Sequence, residues 1–218
     1  MKAIFDFLNQ LAENNNRAWL DEHRSTYIQI RAEFEKFIIQ LWKQLAEIDP
    51  TLQDLEPKKC IFRLARDTRF SKDKKPYKIN LGAYFAKGGR KSGYAGYYFH
   101  LQPGDQSFLA GGLYNPTPQM LLKVRKEIEY NYEELENILA DSQYGYYFGP
   151  LEGDQSRITP LGFDKNHPAI ALIRMKSFTT SCALTDKKVR DKDITEYTIK
   201  AFTALKPLVD FLNKALDD

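Results

Sequence analysis

Cysteine and histidine are scarce in this chain. Its 218 residues hold two cysteines, Cys60 and Cys182, and three histidines, His23, His100 and His167. Two cysteines so far apart cannot make a disulfide-rich scaffold. They read as buried thiols of a reducing compartment, with a single Cys60–Cys182 bridge left open by the sequence. No Cys/His cluster has metal-ligand spacing, so no metal and no cofactor is expected. No apolar run approaches the ~18 residues that cross a bilayer, so no membrane span is expected. The opening residues, MKAIFDFLNQLAENNN, carry Asp6 and Glu13 and no small-residue cleavage site, which argues against a signal peptide. These absences together predict a cytoplasmic protein. Also missing are the P-loop pattern GxxxxGK followed by Ser or Thr, and GxGxxG, HExxH and GxSxG. Gly88-Gly89 and Gly111-Gly112 therefore read as turn or close-packing glycines. Acidic pairs such as Glu133-Glu134 fall on helix surfaces and form no convergent carboxylate dyad. There is no internal repeat and no low-complexity segment.

One class of residue is concentrated in a single place. The segment Lys58–Lys78, KKCIFRLARDTRFSKDKKPYK, holds nine basic and two acidic residues. It carries +7 of a chain whose net charge is only +3, so the remainder sums to −4. Such a concentration of one sign creates a local field that attracts anions. The basic residues are interleaved with Phe62, Phe70 and Tyr77, unlike those of a plain solvated tail.

The rest of the chain reads as an ordinary folded domain, 43% hydrophobic and 28% charged. Residues 3–12 place Ile4, Phe7, Leu8 and Leu11 on one helical face. Asn14-Asn15-Asn16 interrupts that helix, and Asn16 is positioned to cap the next. Over 17–48, Trp19, His23, Tyr27, Ile30, Phe34, Phe37, Leu41 and Leu45 step by threes and fours. This predicts one helix of about 45–50 Å, ended by Asp49-Pro50. His23 falls on its apolar stripe and reads as a satisfied core residue.

From Cys60 to Tyr114 the period changes to two. Cys60–Thr68, Ile79–Ala86, Tyr94–Leu101 and Ser107–Leu113 read as an antiparallel meander. Taking Pro103-Gly104 as the two central turn residues sets Phe99 against Phe108 and Tyr97 against Ala110. Pairing Phe85 with Ala95 sets Ala83 against Tyr97 and Leu81 against Phe99. The core face then collects Phe85, Ala95, Tyr97, Phe99 and Phe108, and the opposite face collects Asn80, Tyr84, Tyr98 and His100. Thr117-Pro118 opens a helix over 117–141. Residues 142–168 are irregular, and a loop that long is functional or hides short strands. Residues 176–184 read as a further strand. Asp193 with Glu196 resembles a capping box opening a C-terminal helix over 193–216, which Pro207 is expected to kink or break. The predicted fold class is α+β in one domain spanning 1–218: N-terminal helices 3–48, then a sheet core 60–114 of four or more antiparallel strands packed on long helices.

Six motifs carry a resemblance: NNNRAWL (Asn14–Leu20), RDTRFSKDKKPYK (Arg66–Lys78), GYYFHLQPG (Gly96–Gly104), AGGLYNP (Ala110–Pro116), PLGFDKNHPA (Pro160–Ala169) and RMKSF (Arg174–Phe178). With them the chain resembles, over nearly its full length, a widespread bacterial and fungal domain family of unknown function. The resemblance implies no activity. It implies Lys as the common residue where this chain has Leu161, and Trp where it has Tyr114. If that Lys belongs to a site, Leu161 weakens it.

The expected site follows from the register. Arg63, Asp67, Arg69, Asn80, Tyr84, Tyr98 and His100 are expected to form one polar pocket with Lys78 at its rim. Ala65, Gly82 and Gly96 would leave room for a ligand. Phe62 and Leu64 are expected on the core face, with Arg66 at the core edge. Three readings stand side by side. In the first, the arginines and aromatics bind a phosphate-bearing ligand, an anionic small molecule or nucleic acid. In the second, a metal-independent enzyme uses His100 as acid–base, although a half-buried His bonded to a Tyr is the plainer account. In the third, the Arg66/Asp67 network only builds the fold. The isoelectric point of 8.6 is modest for a nucleic-acid-binding domain. Nothing in the sequence sets the oligomeric state.

Overall fold

The computed structural model describes residues 1–217. Three helices open the chain: α1 (Lys2–Glu13), α2 (Arg17–Glu22) and α3 (Arg24–Ile48). The short α4 (Pro57–Cys60) leads to strands β1 (Leu81–Ala86), β2 (Gly96–Leu101) and β3 (Ser107–Leu113). Then come α5 (Pro118–Ala140), α6 (Ser142–Tyr147) and α7 (Ile170–Ile173). Strand β4 (Phe178–Leu184), the short α8 (Asp186–Val189) and α9 (Ile194–Asp217) complete the fold. It is α+β, with one antiparallel sheet in the order β1-β2-β3-β4. No helix among the described residues is long and apolar enough to cross a membrane.

The sheet buries one face under two helices. Phe34 and Phe37 of α3 meet Phe99, with ring centroids 6.5 and 5.0 Å apart, and Phe202 of α9 meets Tyr97 at 5.3 Å. Phe85, Ala95, Tyr97 and Phe99 are fully buried. Asp49, itself buried, accepts the Tyr97 hydroxyl at 3.0 Å and the Thr51 hydroxyl at 2.6 Å. Gly111 lies where α9 crosses the sheet, and a Cβ there would stand 2.3 Å from Leu205 Cδ2.

Several elements differ from the sequence reading. The 17–48 helix is broken at His23, whose backbone turns to φ −99°, ψ 20°. Its imidazole is half-buried, stacks on Trp19 at 4.1 Å and bonds the Trp19 carbonyl at 2.9 Å, so it serves the break and not the core. Pro207 leaves α9 continuous. It sits on the exposed side, as does Thr203, whose carbonyl it cannot bond, so the lost bond falls on the solvent side while Leu205 and Leu208 anchor both flanks. Glu196 bonds Lys200 at 2.6 Å and closes no capping box with Asp193. Residues 142–168 open with α6, and Glu152 and Gln155 form bridges to Thr179 and Met175. Cys60–Thr68 is no strand. It meets β1 through one bridge, Ile61 to Ala83, and through Phe62 N–H donating to the Gly82 carbonyl at 2.9 Å.

Both register expectations shift. On β1/β2, Ala83 meets Phe99 and Phe85 meets Tyr97, a two-residue slip that preserves every face. On β2/β3, Phe99 meets Leu109 and Tyr97 meets Gly111, a one-residue slip that reverses them. Leu109 is therefore in the core, and Phe108 is on the outer face. The cause is the turn. Residues 102–106 form a five-residue connection with Asp105 at φ 57°, in place of a two-residue turn. Asp186 of α8 holds it by accepting the Gly104 and Asp105 amides at 3.0 Å each.

Candidate functional site

The outer face of the sheet carries the site, and its floor is aromatic. His100 stacks on Phe108 at 4.4 Å and 15°. Its Nδ1 bonds the Tyr98 hydroxyl at 2.9 Å and its Nε2 faces Gln102 Oε1 at 3.2 Å. Burial, with help from Lys78, holds the imidazole below the usual histidine range, while Gln102 opposes the shift. Burial pushes the Tyr98 phenol up to about 12. Both His100 nitrogens are thus engaged. Gly82 offers no room for a ligand, because the Tyr98 ring fills the space; a Cβ on Gly82 would lie 2.7 Å from the Tyr98 hydroxyl. Gly96 is closed as well, by the Phe85 carbonyl 2.1 Å from its Cβ position. Tyr84 is locked, donating its hydroxyl to the Tyr94 carbonyl at 2.9 Å, with the Gly112 carbonyl at 3.3 Å. Asn80 makes one long contact, to Gln102 at 3.5 Å.

Phe62 caps this floor. It belongs to the outer face and not to the core, meeting Tyr98 edge-on at 6.0 Å, while Leu64 alone turns inward. Two cations sit over its ring, Lys78 Nζ at 5.3 Å and Arg90 Cζ at 5.2 Å from the centroid. Burial lowers the Lys78 pKa, and the like charges of Arg63 and Arg90 lower it further. Among the described residues, Arg63, Lys78 and Arg90 make no ion pair. Lys78 and Arg90 thus share one ring, Arg63 lies near enough to repel Lys78, and none of the three is in an ion pair, although Asp67 feels the Arg63 charge.

The other cations of the segment are neutralised or turned outward. Arg69 donates to Asp67 Oδ1 at 3.0 Å and Oδ2 at 2.7 Å, an exposed pair that depresses the Asp67 carboxyl. Arg66 is half-buried and donates to Asp73 at 2.5 Å, not to a core partner. The Arg66–Asp73 pair braces a hairpin arm. Lys78 N–H donates to the Leu64 carbonyl at 2.9 Å and Arg66 N–H to the Pro76 carbonyl at 2.8 Å. Asn15 pins the arm to the α1–α2 junction. Its side chain donates to the Tyr77 carbonyl at 3.0 Å and accepts the Tyr77 amide at 3.1 Å.

An open cleft of about 1060 Å³ adjoins the cation cluster, between α3, the residues around α4 and the β1–β2 loop. Four of its basic residues are held by acids: Arg31 and Lys58 by Glu35 at 3.0 and 3.6 Å, Lys59 by Glu56 at 2.6 Å, Lys87 by Asp217 at 2.6 Å. Arg63, Arg90 and Lys91 also line it and have no such partner. Cys60 lines it too; burial pushes its thiol up to about 11, far from a nucleophile's range. Both cysteines are free. A second cavity of about 1080 Å³, between α5 and α9, is lined by Glu133, Glu134, Asp141 and Asp210 and presents the wrong charge to an anion.

Of the residues expected at the site, the structure brings Arg63, Lys78, Tyr98 and His100 together. It ties Asp67 and Arg69 to each other in solvent, and gives Tyr84 and Asn80 to the sheet. The sequence reading missed Arg90, Lys91 and Asn15. The signal for the first two was the run Lys87–Gly93, KGGRKSG, in which a loop with Gly88 and Gly89 at positive φ presents adjacent cations. For Asn15 the local pattern shows only a helix breaker, since its partner Tyr77 lies 62 residues away. Leu161 and Tyr114 are both exposed, at 99% and 80%.

Residues 3–211 match the model of a family described as conserved hypothetical protein, DUF2461. The chain belongs to this family. Its description carries no activity. No curated protein and no solved structure matches the chain.

Proposed function

We propose that this member of the family binds a phosphate-bearing or other anionic ligand, nucleotide or nucleic acid, at the cluster of Arg63, Lys78 and Arg90. One observation carries the reading: Lys78 and Arg90 share the half-buried Phe62 ring with Arg63 close by, none of the three in an ion pair among the described residues, and the Lys78 pKa is lowered by burial and further by the two neighbouring charges. Like charges gathered without an acid are electrostatically unfavourable in the free protein and become favourable when an anion enters. The free thiols fit a reducing cytoplasm. The engaged nitrogens of His100 give the catalytic reading no specific support.

The test is calorimetric titration of the chain with pyrophosphate, nucleotides and short oligonucleotides. A bound anion is expected for the parent. Arg63→Ala and Arg90→Ala are each expected to weaken it by about 10- to 150-fold, the scale of ~1.5–3 kcal/mol for a hydrogen bond to a charged group. Arg69→Ala, already satisfied by Asp67, is expected to change affinity little. No heat with any anion, in a parent shown to be folded, would refute the reading.

A further inference from the structure

We infer that the ligand is a single-stranded nucleic acid lying along the hairpin arm, its backbone on the free cations and a base on Phe70; this rests on the reading above and narrows it. Cations without an ion pair recur along the arm. Arg90 and Lys78 flank Phe62 at the base of the arm. From Lys78 the arm carries Lys75, Lys74 and Lys72 outward, all exposed and without an ion pair among the described residues, although Lys74 donates one bond to the Thr68 carbonyl at 3.1 Å. An extended chain advances about 3.3 Å per residue, so positions 78 to 72 cover up to ~20 Å. A single phosphate needs an enclosing pocket. A series of open cations matches a repeating polyanion.

Phe70 supplies the second observation. It is 95% exposed, with only the Arg69 guanidinium near its ring, 5.9 Å from the centroid. A ring with open faces beside cations is a stacking platform that any base can use. The third observation is bracing. The Arg66–Asp73 pair across the arm, with the two Asn15 bonds to Tyr77, holds the arm before any ligand arrives. A bilayer is the weaker fit, because Phe70 is the only large apolar side chain exposed between positions 66 and 76.

The experiment measures fluorescence anisotropy of labelled oligothymidylates of increasing length on the full chain. Thymidine monophosphate, pyrophosphate and vesicles of neutral and anionic phospholipid are run in parallel. Affinity is expected to rise with length and to fall with salt, by about 0.7 in log–log slope per phosphate held. Phe70→Ala is expected to keep the melting temperature and lose about tenfold or more in oligonucleotide affinity. Joint replacement of Lys72, Lys74 and Lys75 by Gln is expected to reduce the salt slope by about 2. If monophosphate and pyrophosphate bind as well as the longest oligonucleotide and Phe70→Ala changes nothing, this inference falls and the anion reading stands. If no anion binds, both fall. Binding to anionic vesicles but not to oligonucleotides, with dependence on Phe70, would assign the arm to a lipid surface and overturn the inference.

Discussion

Lys78→Met separates binding from folding. Methionine keeps the unbranched stem of Lys78 and removes its charge. Lys78 Nζ and Arg90 Cζ lie 5.3 and 5.2 Å from one ring centroid, so they are at most about 10.5 Å apart. Two unit charges at that distance repel by about 0.4–1.6 kcal/mol for an effective dielectric between ~80 and ~20, before salt screening. The substitution relieves this repulsion and forfeits the cation–π contact with Phe62, about 0.5–1 kcal/mol at a partly exposed site. The two effects nearly cancel. Stability should stay within about 1 kcal/mol of the parent, a melting shift of no more than ~2–4 °C for a chain of this size. Anion affinity should fall about 10- to 150-fold. The pH dependence gives an independent check. The folded-state pKa of Lys78 lies below the ordinary lysine value. Between the two values the unfolded chain binds more protons, so the parent gains stability as pH rises through that window. The Met variant should lack this gain. Thermal unfolding of both proteins as pH rises from neutral to the ordinary lysine value, with the difference between them cancelling the tyrosine ionisation they share, reads it directly. A loss of more than about 3 kcal/mol with anion affinity unchanged would refute the reasoning and make Lys78 a structural residue.

Five further outcomes follow from the packing. Tyr97→Phe strips one donor from buried Asp49 and should cost about 1.5–3 kcal/mol in urea unfolding, with anion affinity unchanged. Gly111→Ala drives a Cβ into Leu205 and the Gly96 carbonyl and should destabilise by about 1–3 kcal/mol. Gly145→Ala, in α6 with open space around it, should stabilise by about 0.4–1 kcal/mol, and calorimetric melting of the two glycine variants shows the opposite signs. Asn15→Ala removes both side-chain bonds to Tyr77 and should raise the hydrogen-exchange rates of the Tyr77 and Lys78 amides while the β2 and β3 amides stay protected. Cys60 and Cys182 should react with a thiol reagent at pH 8 only after unfolding, since burial raises both thiols; fast labelling of the native chain would contradict their placement.

The sequence by itself determined the α+β class, the helical faces of α1 and α3, and strands β1 to β4. Period and punctuation are local properties, and here they agreed with the packing. It also determined which residues of β2 face inward, because alternation fixes parity along one strand. Alternation does not fix how two strands align. Phe108 was misplaced and Leu109 missed because the 102–106 turn, held by Asp186 some eighty residues away, sets the β2/β3 register. The basic segment was legible as a count of charges, but which charges stand free was not. Asp67 takes Arg69, Asp73 takes Arg66, and Arg90 arrives from another loop to join Lys78 over Phe62. Ion pairing depends on distances between segments that are remote in sequence, so only the tertiary structure could sort the paired cations from those without an ion pair.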